Sequence, residues 1–153
     1  MLRTRLNEAL KEAMKAKDQR AVSTVRLILA ALKDRDIAAR SRGVTDGIDE
    51  TEILSMFQTM IKQRQESITM YEQGGRCELA EQEREEIAVI ERFLPKQLSD
   101  TETKQAIDEV IAEIGAASIK DMGRTMAELR ARYAGRMDFT KVSGIVKQVL
   151  ASS

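Results

Sequence analysis

Apolar residues recur at intervals of three and four along nearly the whole chain, the spacing of one helical face. Leu2, Leu6, Ala9, Leu10, Ala13 and Met14 form the first such stripe. Lys15-Ala16-Lys17-Asp18 ends or kinks that helix, and Asp18 is placed to cap the next one. Val22, Val25, Ile28, Leu29 and Leu32 make a wider stripe, which predicts a more deeply buried second helix. Ser41 to Gly47 reads as a loop. Asp49 followed by Glu52 resembles a capping box and starts a third helix, with Ile53, Phe57, Met60, Ile61, Ile68 and Tyr71 on its face. Arg64 falls on that same stripe. The expectation is that its stem packs while its head reaches water. The alternative is a buried guanidinium paired with a carboxylate of a neighbouring helix, since an unpaired buried charge is costly. Gly74-Gly75 stops this helix. Leu79, Ile87, Ile90, Phe93 and Leu94 mark a fourth.

Pro95 is the only proline, and it disfavours helical geometry at the residue before it. Ser99 with Glu102 then forms a second capping box. The clearest boundary therefore lies between Pro95 and Ser99. Beyond it three short helices are predicted. Ala106, Ile107, Val110, Ile111 and Ile114 carry the first, closed by Gly115. Ser118 and Asp121 cap the second, with Met122, Met126 and Leu129, ended by Gly135. Asp138 caps the third, with Val142, Ile145, Val146, Val149 and Leu150. The expectation is an all-α protein: an N-terminal domain of four helices over residues 1–94 and a small C-terminal three-helix domain over 99–153.

Composition strengthens that reading. Only 3% of the 153 residues are aromatic, while Leu, Met, Ala, Glu, Lys, Arg and Gln dominate. These are strong helix formers, and a sandwich or barrel would need more aromatic and β-branched residues. Composition also removes chemistry. With no His there is no Ser-His-Asp triad and no His general base. The carboxylates Glu81, Glu83, Glu85 and Glu86 invite comparison with di-metal bundles. Those normally add Glu-x-x-His ligands, so no metal site and no cofactor is expected. The lone Cys77 has neither a His nor a second Cys to partner it and is read as incidental. Most of the eight Met residues fall at helix-face spacing and are read as core filler. No catalytic residue is assigned. The longest apolar run, Leu27 to Leu32, is far too short to span a bilayer, so no membrane is expected as a partner. The basic N-terminal helix contains Glu8 and Glu12, which argue against a mitochondrial presequence. A cytoplasmic location is expected.

Basic and acidic residues number 25 each, but they are segregated. Residues 1–42 carry a net +6, residues 43–95 a net −7 and residues 96–153 a net +1. The zero sum argues against indiscriminate coating of nucleic acid, and no DNA is expected. It predicts that helices one and two lie beside three and four with complementary surfaces. In the C-terminal part, Lys120, Arg124, Arg130, Arg132, Arg136, Lys141 and Lys147 crowd into barely fifty residues. Tyr133 stands between two of these arginines. Such a mix can contact an RNA backbone and stack on a base, which makes these seven the candidate nucleic-acid-binding residues.

Several stretches resemble the YqeY family, or GatB/YqeY domain. They are Leu10 to Asp18 with Val25-Arg26-Leu27-Ile28, Met60 to Ser67, and Glu85 to Phe93 running into Leu94-Pro95-Lys96-Gln97-Leu98. Asp121 to Met126 and Gly135 to Asp138 complete the set, all in the family's order. The family's Met-Gly-Lys is here Met122-Gly123-Arg124. The family is similar to the C-terminal helical and tail region of the B subunit of bacterial aspartyl/glutamyl-tRNA amidotransferase. The resemblance therefore implies a stand-alone, cytoplasmic protein of bacterial type that binds tRNA or associates with an amidotransferase. By similarity it would carry a carbon–nitrogen ligase label with glutamine as amido-N-donor, without a catalytic domain of its own. The implied partners are tRNA and amidotransferase or synthetase components. A helical protein-interaction adaptor without RNA binding is the alternative.

Overall fold

The computed structural model describes residues 1–152, and among them every regular element is helical. Seven α-helices follow in chain order: α1 (Leu2–Lys15), α2 (Gln19–Arg40), α3 (Glu50–Gln73), α4 (Cys77–Glu91), α5 (Asp100–Ile114), α6 (Met122–Tyr133) and α7 (Phe139–Ala151). A short 3₁₀ turn, Ile119–Asp121, leads into α6. The all-α class expected from the apolar spacing is what the chain forms. The chain divides into two compact units, Met1 to Leu94 and Pro95 onward.

Helix starts follow the cap residues. Asp18 accepts the Ala21 N–H, and Asp49 accepts the Glu52 N–H. At Ser99 the box is reciprocal: Ser99 Oγ accepts from Glu102 N–H, and Glu102 accepts from the Ser99 N–H. Each bond satisfies a donor that the first helical turn leaves without an internal partner. Helix α4 stops at Glu91, a little before the proline. The N–H groups of Arg92, Phe93 and Leu94 tighten onto the carbonyls three residues back, so the chain reaches Pro95 already out of the α-helix.

In the first unit α1 packs on α2, α2 on α4, and α3 runs back along α4. Leu6, Val25, Ile28, Ile53, Met56, Phe57 and Ile90 form the centre of a single apolar core. Phe93 caps one end of it, its ring 6.0 Å from that of Phe57. Arg5 covers Phe93 from outside and donates to the Arg92 carbonyl at 3.0 Å. The second unit buries Ile107, Val110, Met126, Leu129, Val142, Val146 and Leu150. Its N-terminal strap, Lys96 to Leu98, is tied to the turn after α6. Leu98 N–H donates to the Arg136 carbonyl, Gln97 to the Gly135 carbonyl, and Arg136 Nε to the Lys96 carbonyl. Met56, Met60 and Met126 are core residues as expected, but Met70 is 71% exposed.

Candidate functional site

The seven basic residues of the second unit were the sequence's strongest binding candidates. Their arrangement follows from helix geometry. Arg124, Arg130 and Arg132 all lie on α6, but at 100° per residue they point in three different directions. Each finds a different neighbour. Arg124 donates to the Ile114 carbonyl at 3.0 Å and pairs with Asp121 at 2.9 Å. Arg132 pairs with Glu113 at 2.6 Å and Glu128 at 2.7 Å, and these two carboxylates hold its guanidinium firmly protonated. Arg130 lies over the Phe139 ring, 5.9 Å from its centroid. Arg136 is spent on the Lys96 carbonyl, and Lys141 faces Asp100 at 3.6 Å. Only Lys120 and Lys147 have no such partner among the described residues. Most of the seven are engaged within their own unit. Five of them link elements of the unit to one another.

Asp121 does two jobs at the start of α6. Its carboxylate accepts the Ala117 and Ser118 N–H groups and pairs with Arg124. The Ala117 N–H first, then Arg124 and the Ser118 N–H, hold its carboxyl below the ordinary range.

The first unit contains two tighter constellations. One centres on Arg64. Its side chain is only 14% exposed, and its Nε donates to Glu86 at 2.9 Å. Glu86 is itself only 10% exposed, and Glu83 approaches the same guanidinium to 3.9 Å. Arg64 also donates to the Met60 carbonyl one turn back. The expected snorkelling arginine is therefore a buried, paired one. Arg64 lies along the α3–α4 hairpin with its side chain largely covered, and the facing helix supplies the carboxylates. Two carboxylates share one cation here. Burial, and then the neighbouring charge of Glu86, raise the Glu83 carboxyl above its ordinary value.

A raised carboxyl has a definite sign in stability. The native state holds a proton at Glu83 more tightly than the unfolded chain, which releases it near the ordinary value of 4.5. Stability from this group is complete below that pH and is lost as pH rises through the raised value. Replacing Glu83 by Gln, which keeps the shape and drops the charge, is expected to raise the melting temperature at pH 7. Below about pH 4 the difference from wild type should vanish; melting curves across pH check both statements.

The second constellation joins three elements. Arg3 on α1 donates two parallel bonds to Asp36 on α2, both at 2.8 Å, and a third to the Ile48 carbonyl at 3.0 Å. Asp36 also accepts the Ile48 N–H at 2.9 Å. The Arg3 bond is the main reason the Asp36 carboxyl lies below its ordinary range. Nearby, Glu50 accepts the Leu2 N–H and pairs with the Met1 ammonium. Sequence reading had no signal for the Arg3 clasp, because its partners are 33 and 45 residues away. Arg64 did give a signal, its place on the apolar stripe.

The acidic run of α4 resolves in the same way. Glu85 pairs with Arg20 of α2, and Glu81 and Glu72 pair with Arg84. Between α2 and α4 lies an open groove of about 460 Å³, lined by Arg20, Ser23, Arg26, Leu27, Gln82 and Glu86. Cys77 is exposed at the first residue of α4.

Comparison with known proteins gives this geometry a family. The family model "Yqey-like protein" matches residues 3–150. Among curated relatives, "Altered inheritance of mitochondria protein 41, mitochondrial" of Vanderwaltozyma polyspora is 28% identical over 124 residues, covering 76% of this chain and 64% of its own. The Candida glabrata protein of the same name is 34% identical over 89 residues, covering 58% and 47%. That of Kluyveromyces lactis is 24% identical over 143 residues, covering 93% and 72%. The chain spans about half to two-thirds of the length of the first two. These relatives correct three expectations. They are named as mitochondrial proteins of yeasts, which overturns the cytoplasmic location and the bacterial type. No amidotransferase or tRNA function accompanies the family or its relatives, so the tRNA-binding, amidotransferase-associated role is withdrawn, and the carbon–nitrogen ligase label with it.

Proposed function

This chain belongs to the YqeY-like protein family, and we propose that it does the work of its yeast relatives, which their name ties to the inheritance of mitochondria. The observation that carries this reading is the reach of the Kluyveromyces lactis match. It takes in 93% of the chain, so the likeness includes residues of both compact units. A supporting observation comes from the side chains. Arg3, Arg64, Arg124 and Arg132 are engaged by carboxylates and carbonyls of their own unit, which suits helical units that each work through their outer surface.

The test is replacement in yeast. A Saccharomyces cerevisiae strain lacking its own relative would express this chain behind a mitochondrial leader. Mitochondrial inheritance would then be scored in dividing cells. Restoration towards the normal level is expected. A chain that accumulates folded in mitochondria and restores nothing overturns the proposal.

A further inference from the structure

The solvent face of α2 is unusual for a helix in a soluble unit. Val25, Ile28 and Leu32 point into the core, and the opposite stripe is Ser23, Arg26, Leu27, Ala30, Asp34 and Ile37. Leu27 is 47% exposed and Ile37 48%, two large apolar side chains ten residues apart on one face. Ten residues is about 15 Å along the axis. Between them sits Ala30, small enough to let another helix come close. Leu27 also lines the groove beside α4. Arg26 and Asp34 flank Ala30, one on each side along the helix, and neither has an ion-pair partner among the described residues.

That order of residues is complementary to its own reverse. We propose that the outer face of α2 pairs with the same face of a second copy, antiparallel, about a twofold axis near Ala30. In this arrangement Ile37 of each chain sits opposite Ser23 of the other, over the groove that Ser23 and Leu27 both line. Asp34 of one chain lies within a turn of Arg26 of the other, and the twofold makes each contact twice. Lys33 stands at the edge of the stripe, where its long stem turns to solvent. Arg20, the other cation of the groove, is already held by Glu85 at 2.9 Å and needs nothing from a partner. A single helix face is small for an interface, so a weak, concentration-dependent dimer is the expected form.

Charge exchange tests the pairing and its register together. Sedimentation equilibrium of the full chain from about 10 µM to about 1 mM would be run with reductant, so that the exposed Cys77 cannot cross-link two copies. Wild type is expected to pass from monomer towards dimer across that range. Leu27→Asp should weaken association at least tenfold with an unchanged melting curve, since the residue lies at the surface. Asp34→Arg alone, and Arg26→Asp alone, should each weaken it. The double exchange Arg26→Asp with Asp34→Arg should restore it, because the two charges meet across the twofold. A wild type that stays monomeric throughout overturns the proposal. So does a dimer indifferent to these substitutions, or a double exchange no better than the single ones.

Discussion

Glu86→Ala is expected to destabilise the first unit by about 3–5 kcal/mol. The cost is not the lost attraction alone. Arg64 would remain inside the α3–α4 hairpin with its guanidinium facing a cavity. Glu83 is 3.9 Å away, beyond hydrogen-bond distance of Arg64 Nε, so it does not replace the 2.9 Å bond that Glu86 accepts. Replacing both partners at once tells the two contributions apart. Arg64→Met with Glu86→Leu keeps volume and removes both charges, and such exchanges are often neutral or stabilising. Chemical denaturation would therefore show a large loss for Glu86→Ala and a small change, of either sign, for the apolar pair. The reason is that desolvating two ions consumes most of what their attraction gives.

Gly47→Ala should also be damaging, although it adds only one methyl group. Gly47 has φ +92°, a conformation that side chains rarely adopt. Its Cβ would also come within 2.5 Å of Arg3 Nη2 and 3.0 Å of Asp36 Oδ1. Strain of this kind costs about 1–3 kcal/mol. The displaced guanidinium would in addition loosen the bonds that tie α1 to α2 and to Ile48. Gly43 makes the control, because its φ is also positive, at +83°, but its Cβ would meet nothing within 4 Å. Gly43→Ala should therefore show the backbone cost alone, and the difference between the two melting shifts isolates the clash with Arg3.

The helices were legible because their signals are local. Asp18, Asp49, Ser99 and Asp138 each cap a helix that an apolar stripe had already placed. Pro95 marked the end of α4 to within a few residues, the helix stopping at Glu91. Side-chain function was less legible, because it depends on what a distant helix brings. The arginines of α6 looked like a basic cluster when counted along the chain. Helical rotation sends them in different directions, towards Glu113, Phe139 and Ile114. Arg64 was placed on the right stripe, but nothing local says that Glu86, 22 residues on, returns to the same depth. The segregated charge of the first 95 residues did foreshadow pairing between α2 and α4, realised in Arg20 and Glu85. Location and role lay beyond such signals. The acids of α1 are equally at home in any amphipathic helix, so they could not exclude a mitochondrial protein.

What runs through both units is that charged side chains tie helices to one another, as Arg3, Arg64, Arg124 and Arg132 do. A double-mutant cycle on Arg64 and Glu86 tests this most directly. It compares the unfolding free energies of wild type, Arg64→Met, Glu86→Leu and the pair. A coupling energy of about 2 kcal/mol or more is predicted, with each single change costly and the double change mild. Single changes that are mild and simply additive, with coupling below about 0.5 kcal/mol, would contradict the account and leave Arg64 as a side chain that packs by its stem alone.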